Sequence, residues 1–150
     1  MTNRLRRDFL LDSGGVSALA ANRDLLVAYL DLFKLRIDGA LLIPIPVLTE
    51  IRSGQRRSDA LVDRLIKAIG AEHDIYAPLT IEAATRAGVL RTEALSLSRH
   101  DISTTDAQVV AMAEERSRIC AVTIITGDPD DINLLVGLTR RTNIAVDVPG

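Results

Sequence analysis

The stretch that decides the fold is residues 121–131, AVTIITGDPDD. Its first six residues, from Ala121 to Thr126, are apolar or β-branched, and the run is short enough to be one buried strand. Gly127 then turns the chain, and Asp128 followed by Pro129 is typical of a helix start. A buried strand that leads directly into a helix is the unit from which parallel α/β sheets are built.

The same alternation continues along the rest of the chain. Short apolar runs predict strands over residues 9–11, 41–45, 75–77, 121–126 and 144–146. Helical periodicity predicts helices over 16–21, 23–37, 46–51, 58–69, 80–98 and 128–139, and one more that begins at 103 or 104. Right-handed crossovers then give the fold class α/β, a three-layer α/β/α sandwich around a central parallel sheet of about five strands. We expect residues 1–150 to form a single domain.

Composition narrows the class of protein. The 150-residue chain is 47% hydrophobic and 25% charged, as is usual for a globular protein. Because the formal net charge is −2, any binding of nucleic acid must rest on a local basic patch or on metal. No stretch resembles a signal peptide or the roughly 20 apolar residues of a membrane span, so we expect a cytoplasmic protein without membrane contact. The one cysteine, Cys120, precedes an apolar run and is expected to be a buried thiol.

Four acidic residues stand where functional groups of a parallel sheet collect, near the carboxyl ends of strands. Asp12 closes the first strand, and Glu50 lies in the first turn of the helix after the second. Asp128 follows strand 121–126, and Asp106 lies in the first turn of the helix that leads into it. Packed together, these acids would raise one another's pKa values unless a cation neutralised them. Since hard divalent cations prefer carboxylate oxygens, we predict a Mg²⁺ site, with Mn²⁺ as the alternative ion.

Each acid also has a structural interpretation, which for a single position is the more common one. These alternatives are a capping box for Ser103 and Asp106, an N-cap at Asp128, an N-cap at Ser13 and a solvated surface position for Glu50. Asp12 is the hardest to explain in this way, because a charge at the end of a buried strand is costly. Only the joint pattern of the four acids favours a site.

Other chemistries have less support. His73 and His100 are isolated and have no cysteine partner for a zinc site, so each is expected to be a surface residue. Asp12 could be a phosphoryl-accepting nucleophile, but Gly14 stands where a phosphatase of that type would have a second acid.

A basic cluster follows Glu50 within two helical turns. It consists of Arg52, Arg56 and Arg57, which are either a solvated face or contacts to RNA phosphates beside the acids.

Four motifs together resemble the PIN-domain family, and most closely the VapC-type toxins of type II toxin–antitoxin systems. They are LLDS at 10–13, PVLTE at 46–50, TDAQVVA at 105–111 and IITGDPDD at 124–131. Their order and spacing match from about Asp8 to Val148, although 58–97 matches only by pattern. The pair Gly14-Gly15 departs from the small-plus-apolar continuation that is commoner in the family.

The resemblance implies a metal-dependent endoribonuclease, a hydrolase that cuts RNA phosphodiester bonds with a metal-activated water. Asp12, Glu50, Asp106 and Asp128 match the family's catalytic and metal-binding positions. Neighbouring residues that would orient these ligands or the substrate are Ser13, Thr126 and Asp131, the last with a structural role as the alternative. The resemblance also implies a homodimer and a cognate VapB-type antitoxin. The alternative function is a catalytically weak PIN-like module that binds an antitoxin or RNA.

Overall fold

The computed structural model describes residues 6–36, 39–70, 75–98 and 100–150. In chain order the elements are β1 (Arg7–Leu11), α1 (Ser13–Ala21), α2 (Arg23–Arg36), β2 (Leu41–Pro44), a 3₁₀ turn (Ile45–Val47), α3 (Leu48–Ile51), α4 (Arg56–Gly70), β3 (Tyr76–Ala77), α5 (Ile81–Ser98), α6 (Thr104–Arg116), β4 (Ala121–Ile125), α7 (Pro129–Thr139) and β5 (Ile144–Asp147). The predicted end of the second helix at Ile37, and His73, lie outside the described residues.

The five strands of the described ranges form one parallel sheet in the order β3-β2-β1-β4-β5. From β1 the chain builds β2 and β3 on one side and then crosses to build β4 and β5 on the other. The switch point therefore lies between β1 and β4, which pair from Arg7 opposite Ala121 to Leu11 opposite Ile125. Side chains that follow these two strands emerge next to each other at the carboxyl edge of the sheet.

Two groups of helices cover the sheet. Helix α1 packs with α2, α3 and α4, whereas α5 packs with α6 and α7. The core between the layers is aliphatic, and Leu10, Ile43 and Ile124 are fully buried in it. Cys120 is a buried free thiol, as predicted. The predicted α/β/α sandwich with five parallel strands is thereby confirmed.

No helix among the described residues combines the length and the apolar character needed to cross a lipid bilayer.

The segment after β2 differs from the sequence prediction. The strand ends at Pro44 instead of Ile45, and residues 45–47 form a 3₁₀ turn instead of the start of an α-helix. Pro46 lies in the first positions of this turn, where its missing N–H costs no hydrogen bond. The α-helix that follows is only one turn long, and it carries Glu50.

Helix α4 begins at Arg56, two residues earlier than predicted. The Asp59 carboxylate accepts the backbone N–H groups of Ser53 and Gly54, at 3.1 Å each, and so closes the turn ahead of the helix. Gly54 has a φ of 74°, a conformation that glycine adopts at little cost.

A buried acid that the sequence analysis did not single out, Asp8, anchors the amino end of β1. Its side chain is 0% exposed and forms ion pairs with Arg116 at 2.9 Å and Arg6 at 3.2 Å. It also accepts the backbone N–H of Ala40 at 3.0 Å, at the entry to β2. Burial raises the pKa of Asp8, but these hydrogen bonds and the two arginine charges outweigh it and hold the pKa below its ordinary value. Asp8 thus joins β1, β2 and α6 at the edge opposite the four acids.

Candidate acidic site at the carboxyl edge of the sheet

Asp12 occupies the first position after β1 and begins α1. Its Oδ1 accepts the backbone N–H of Gly15 at 2.7 Å, so Asp12, and not Ser13, is the N-cap of the helix. The helix consequently starts at Ser13, three residues earlier than the predicted start at Val16. Asp12 is only 3% exposed, which makes this a buried carboxylate held by the backbone.

The pair Gly14-Gly15 lets α1 start in close contact with the end of β4. A Cβ added to Gly15 would lie 2.3 Å from the carbonyl oxygen of Ile125, and one added to Gly14 would lie 2.7 Å from the Cα of Gly127. No real Cβ approaches backbone atoms so closely. The departure from the family pattern therefore has a steric reason, since only glycine fits at these two positions.

Gly15→Ala is expected to destabilise the protein by about 2–3 kcal/mol, because the added methyl group meets a backbone oxygen that cannot rotate away. Urea unfolding measures the change. The matched control is Gly88→Ala in α5, where an added Cβ meets nothing within 4 Å. That variant should gain about 0.5–1 kcal/mol from helix propensity. Equal stabilities of the two alanine variants would contradict the close approach of α1 and β4.

Thr126 connects Asp12 with the start of α7. Its hydroxyl donates a hydrogen bond to the Asp12 carboxylate and accepts the backbone N–H of Asp128 at 2.9 Å. The backbone N–H of Gly127 also donates to Asp12. Burial raises the pKa of Asp12, and the charge of Glu50 adds to the rise; the hydrogen bonds from Thr126, Gly15 and Gly127 oppose it without cancelling it.

Asp106 combines the predicted capping arrangement with a perturbed carboxyl group. Ser103 is the N-cap of α6, and its Oγ accepts the backbone N–H of Asp106 at 3.0 Å. The pKa of the Asp106 carboxyl is raised to about 6, first by burial and then by the charges of Asp12, Glu50 and Asp128; a hydrogen bond from Ser103 acts in the opposite direction. Capping and clustering are therefore not exclusive interpretations at this position.

Glu50 and Asp128 form the exposed side of the cluster. Asp128 occupies the N-cap position of α7, but its side chain makes no capping hydrogen bond, so the predicted capping role is wrong in that respect. Glu50 lies exposed on α3 and borders a cavity between α1 and α4, beside Ser17 and Leu61.

The structure couples the four predicted acids electrostatically, because the charges of Asp12, Glu50 and Asp128 all raise the pKa of Asp106, and the charge of Glu50 also raises that of Asp12. They do not form a closed ligand cage. Within the described ranges of the chain, no three His, Cys, Asp or Glu side chains are arranged to hold a metal ion as they stand. The arrangement is a partly buried, mutually repelling carboxylate cluster, and mutual repulsion is the property that a bound cation relieves.

This repulsion predicts a pH dependence of the metal-free protein. A carboxyl whose pKa rises on folding stabilises the protein below its unfolded pKa, and the contribution is lost as pH rises through the folded pKa. For Asp106 this interval runs from the ordinary 3.8 to about 6. The difference corresponds to at most about 3 kcal/mol, and solvent screening of the half-buried side chain reduces it to about 1 kcal/mol.

The measurement is urea unfolding in EDTA at about pH 4 and about pH 7. Between these values the parent should lose about 1 kcal/mol more than Asp106→Asn, which cannot ionise. Equal losses in the two proteins would show that Asp106 is not perturbed.

A contact between His100 and Asp131, which the sequence analysis did not predict, connects the loop before α6 with α7. Nε2 of His100 lies 2.7 Å from Oδ1 of Asp131, and Arg91 binds the carbonyl oxygen of Ile102 at 2.8 Å and Asp101 at 3.0 Å. His100 is exposed, as predicted, but it is not isolated. No pattern in the sequence indicates this pair, or the N–H groups of the two glycines that hold Asp12, because all of these contacts arise from the packing of distant segments.

The three arginines that were predicted as possible RNA contacts differ in whether an acidic side chain already pairs with them. Arg52 forms an ion pair with Asp63 at 2.7 Å, and this contact raises the pKa of its guanidinium. Arg56 and Arg57 are exposed at the start of α4. Ser13, in the first turn of α1, follows the Asp12 cap.

Five parallel strands between two helix layers, with acids beside the switch point, define a PIN-like α/β/α protein. The chain is similar to one in the structure of FitAB bound to the IR36 DNA fragment, with a TM-score of 0.63, 18% identity and 94% of each chain covered. It is also similar to a chain of VapBC2 from Rickettsia felis bound to promoter DNA, with a TM-score of 0.63, 16% identity and coverage of 95% of this chain and 99% of that chain.

A third similar structure is VapBC-5 from Mycobacterium tuberculosis, a member of the VapBC family of toxin–antitoxin systems. Its TM-score is 0.54 at 20% identity, with 95% of this chain and 97% of that chain covered. No protein-family model and no curated protein matches the chain by sequence. Because the identities are low, the similarity shows a shared fold. The predicted resemblance to VapC-type PIN proteins is confirmed at that level.

Proposed function

We propose that this protein is a metal-dependent endoribonuclease and the toxin of a VapBC-type pair. The observation that carries the proposal is the coupling of the four acids: the pKa of Asp106 rises to about 6 through burial and through the charges of Asp12, Glu50 and Asp128. A bound cation would relieve the repulsion within this cluster next to the switch point of the sheet, which supports the proposal of a cation site.

The donor set fits Mg²⁺ or Mn²⁺. Its side chains are all carboxylates, the ligands that hard divalent ions prefer. Asp12 and Asp106 would be the direct ligands, and Glu50 and Asp128 would bind directly or through water. Because the acids do not form a cage as they stand, ion binding requires their carboxylates to draw closer. A bound ion would lower the pKa of a water and offset the charge that builds on the phosphodiester.

The chain's own groups prepare the site for this chemistry. Three donors, the Thr126 hydroxyl and the N–H groups of Gly15 and Gly127, fix the Asp12 carboxylate in one orientation. Ser103 fixes the backbone of Asp106 at the start of α6. Hydrolysis would leave a 5′-phosphate and a 3′-hydroxyl, with the 3′ oxygen as the leaving group. Arg56 and Arg57 are placed on the exposed first turn of α4 and would meet phosphates of the RNA.

The similarity to chains from toxin–antitoxin structures supports an antitoxin as the partner of this chain. The similar chains come from FitAB and VapBC structures, so a VapB-type antitoxin is the partner we infer for this chain. We also propose that the chain forms a homodimer, which the resemblance to VapC-type toxins implies, and that it acts in the cytoplasm.

The test is cleavage of single-stranded RNA by the purified chain. EDTA should abolish cleavage, and Mg²⁺ or Mn²⁺ should restore it. Products should carry 3′-hydroxyl ends, which separate this activity from contaminating metal-independent ribonucleases that leave 3′-phosphates. Release of phosphate from p-nitrophenyl phosphate without RNA cleavage would instead indicate a phosphatase that uses Asp12.

One observation favours the alternative of a catalytically weak interaction module. Among the described residues no ready-made metal cage exists, and the exposed acids Glu50 and Asp128 would attract a basic segment of an antitoxin. Tight antitoxin binding together with no RNA cleavage in Mg²⁺ or Mn²⁺ would establish this alternative.

A further inference from the structure

The positive charges that remain without an ion pair are not spread evenly over the described surface. Arginines that pair with acids include Arg52, Arg86, Arg91, Arg116 and Arg118. Among the residues whose side chains the structure describes, Arg7 has no ion pair but donates a hydrogen bond to Thr123. The other cations without an ion pair in this described part of the chain form two groups, Arg23, Arg56, Arg57, Arg64 and Lys67 at the start of α2 and along α4, and Arg140 with Arg141 after α7. The first group lies on the same side of the sheet as Glu50.

A groove between α1 and α4 connects that group with the acidic site. One cavity in it is bordered by Glu50, Ala20 and Leu61, and the next by Ala20, Arg23 and Arg64. Ala20 borders both, so the two cavities are neighbours along the same pair of helices. We call the two cavities together the α1–α4 groove. Glu50 borders its first cavity, and its second is bordered by two exposed arginines, Arg23 at the start of α2 and Arg64 in α4.

The floor of the distal half is apolar. Leu19 and Leu26 come from the α1–α2 side, and Leu65 and Ala68 from α4. The described residues of the floor include no aromatic side chain on which bases could stack, so the attraction for a single-stranded nucleic acid comes from the arginines, which meet its phosphates, while the aliphatic floor contacts the bases without sequence preference.

We propose that the α1–α4 groove holds the single-stranded RNA next to the cut site, with Arg23 and Arg64 binding its phosphates. The inference rests on the proposed nuclease function. An RNA cut in its interior must continue beyond the scissile phosphate, and the acidic cluster repels the rest of the polyanion. Flanking cations must therefore supply the attraction, and Arg23 and Arg64, which have no ion pair among the described residues, border the cavity next to the one that Glu50 borders.

The test is the affinity of the full-length chain for an oligouridylate of about twelve nucleotides. Binding is measured by fluorescence anisotropy in EDTA, which prevents cleavage, at several salt concentrations. The double variant Arg23→Gln/Arg64→Gln should bind about 5–10-fold more weakly. The slope of log affinity against log salt should fall by about 1.4, for two lost phosphate contacts at about 0.7 each. Arg64→Lys, which keeps the charge, should retain most of the affinity.

The matched control is Arg140→Gln/Arg141→Gln, which removes the same charge outside the groove and should leave affinity within about twofold. Because all four arginines are exposed, thermal unfolding should be nearly unchanged in every variant. Equal RNA affinities of the two double variants would overturn the proposal. So would weakened binding of a polyglutamate peptide with unchanged RNA binding, which would assign the groove to an acidic protein partner.

The outcomes also separate this inference from the proposed function. If Arg23→Gln/Arg64→Gln cleaves long and short RNA substrates at the same rate as the parent chain, the proposal for the α1–α4 groove is wrong while the nuclease function stands. If the parent chain neither binds nor cleaves RNA, both proposals fail.

Discussion

Replacing Asp106 by Asn is expected to lower RNA cleavage in Mg²⁺ by at least about 100-fold. The substitution keeps the size of the side chain and the backbone N–H that Ser103 caps, so α6 should still begin at the same residue. It removes one of the four coupled charges, and with it the carboxylate that the other three acids affect most. Single-turnover cleavage of labelled RNA measures the rate.

The matched control for this experiment is Asp130→Asn. Asp130 is an exposed acid in the first turn of α7, close in sequence to Asp128 but outside the four. Its replacement removes the same charge near the site and should change the rate by less than about threefold. If Asp106→Asn cleaves RNA as well as Asp130→Asn does, the four-acid account of catalysis is wrong.

The largest effect on stability is expected at the opposite edge of the sheet. Asp8→Ala should lower the free energy of unfolding by about 3–4 kcal/mol, because it leaves the Arg116 guanidinium and the Ala40 N–H without their buried acceptor. Since the pKa of Asp8 is lowered on folding, its contribution is present above the ordinary value of 3.8 and is lost as pH falls below it. Urea unfolding at neutral pH measures the loss.

The control pair for Asp8 lies on the surface. Glu82 and Arg118 are 3.0 Å apart with both side chains more than half exposed, and Glu82→Ala should cost less than about 1 kcal/mol. The folded fraction of Asp8→Ala should still bind divalent cations, because the acidic site is at the other end of β1. An Asp8→Ala protein as stable as Glu82→Ala would contradict the anchoring role of the buried acid.

The parts of the fold that are predictable from sequence are those with local signals. Strand β4 is predictable because Val122, Ile124 and Ile125 combine burial with β-branching. Helix α7 is predictable because Asp128 followed by Pro129 is typical of a helix start, and a proline further inside the helix would disrupt it. The start of α1 is not predictable in the same way. It depends on how closely Gly15 approaches Ile125, more than 100 residues away in the chain.

In the candidate site, too, local features are predictable from the sequence and features that depend on tertiary packing are not. The four acids are predictable as a group because each follows a strand or begins a helix at one edge of the sheet. Their electrostatic state is not, since the pKa of Asp106 depends on burial and on three distant charges. The hydrogen bond from Thr126 to Asp12, the pair of His100 with Asp131 and the Asp8 anchor likewise require tertiary structure. Asp8 is hidden in the sequence because it has no apolar periodicity or motif of its own.

The central claim is tested most directly by titrating the protein with Mn²⁺ and monitoring the EPR signal of the free ion, which disappears as the ion binds. If the four acids, distant in sequence, repel one another in the metal-free protein, the chain should bind at least one Mn²⁺ ion. Asp12→Asn should weaken that binding by about tenfold or more, and Mg²⁺ should compete for the same site. A parent chain that takes up no Mn²⁺, or takes up as much as Asp12→Asn does, would contradict the account.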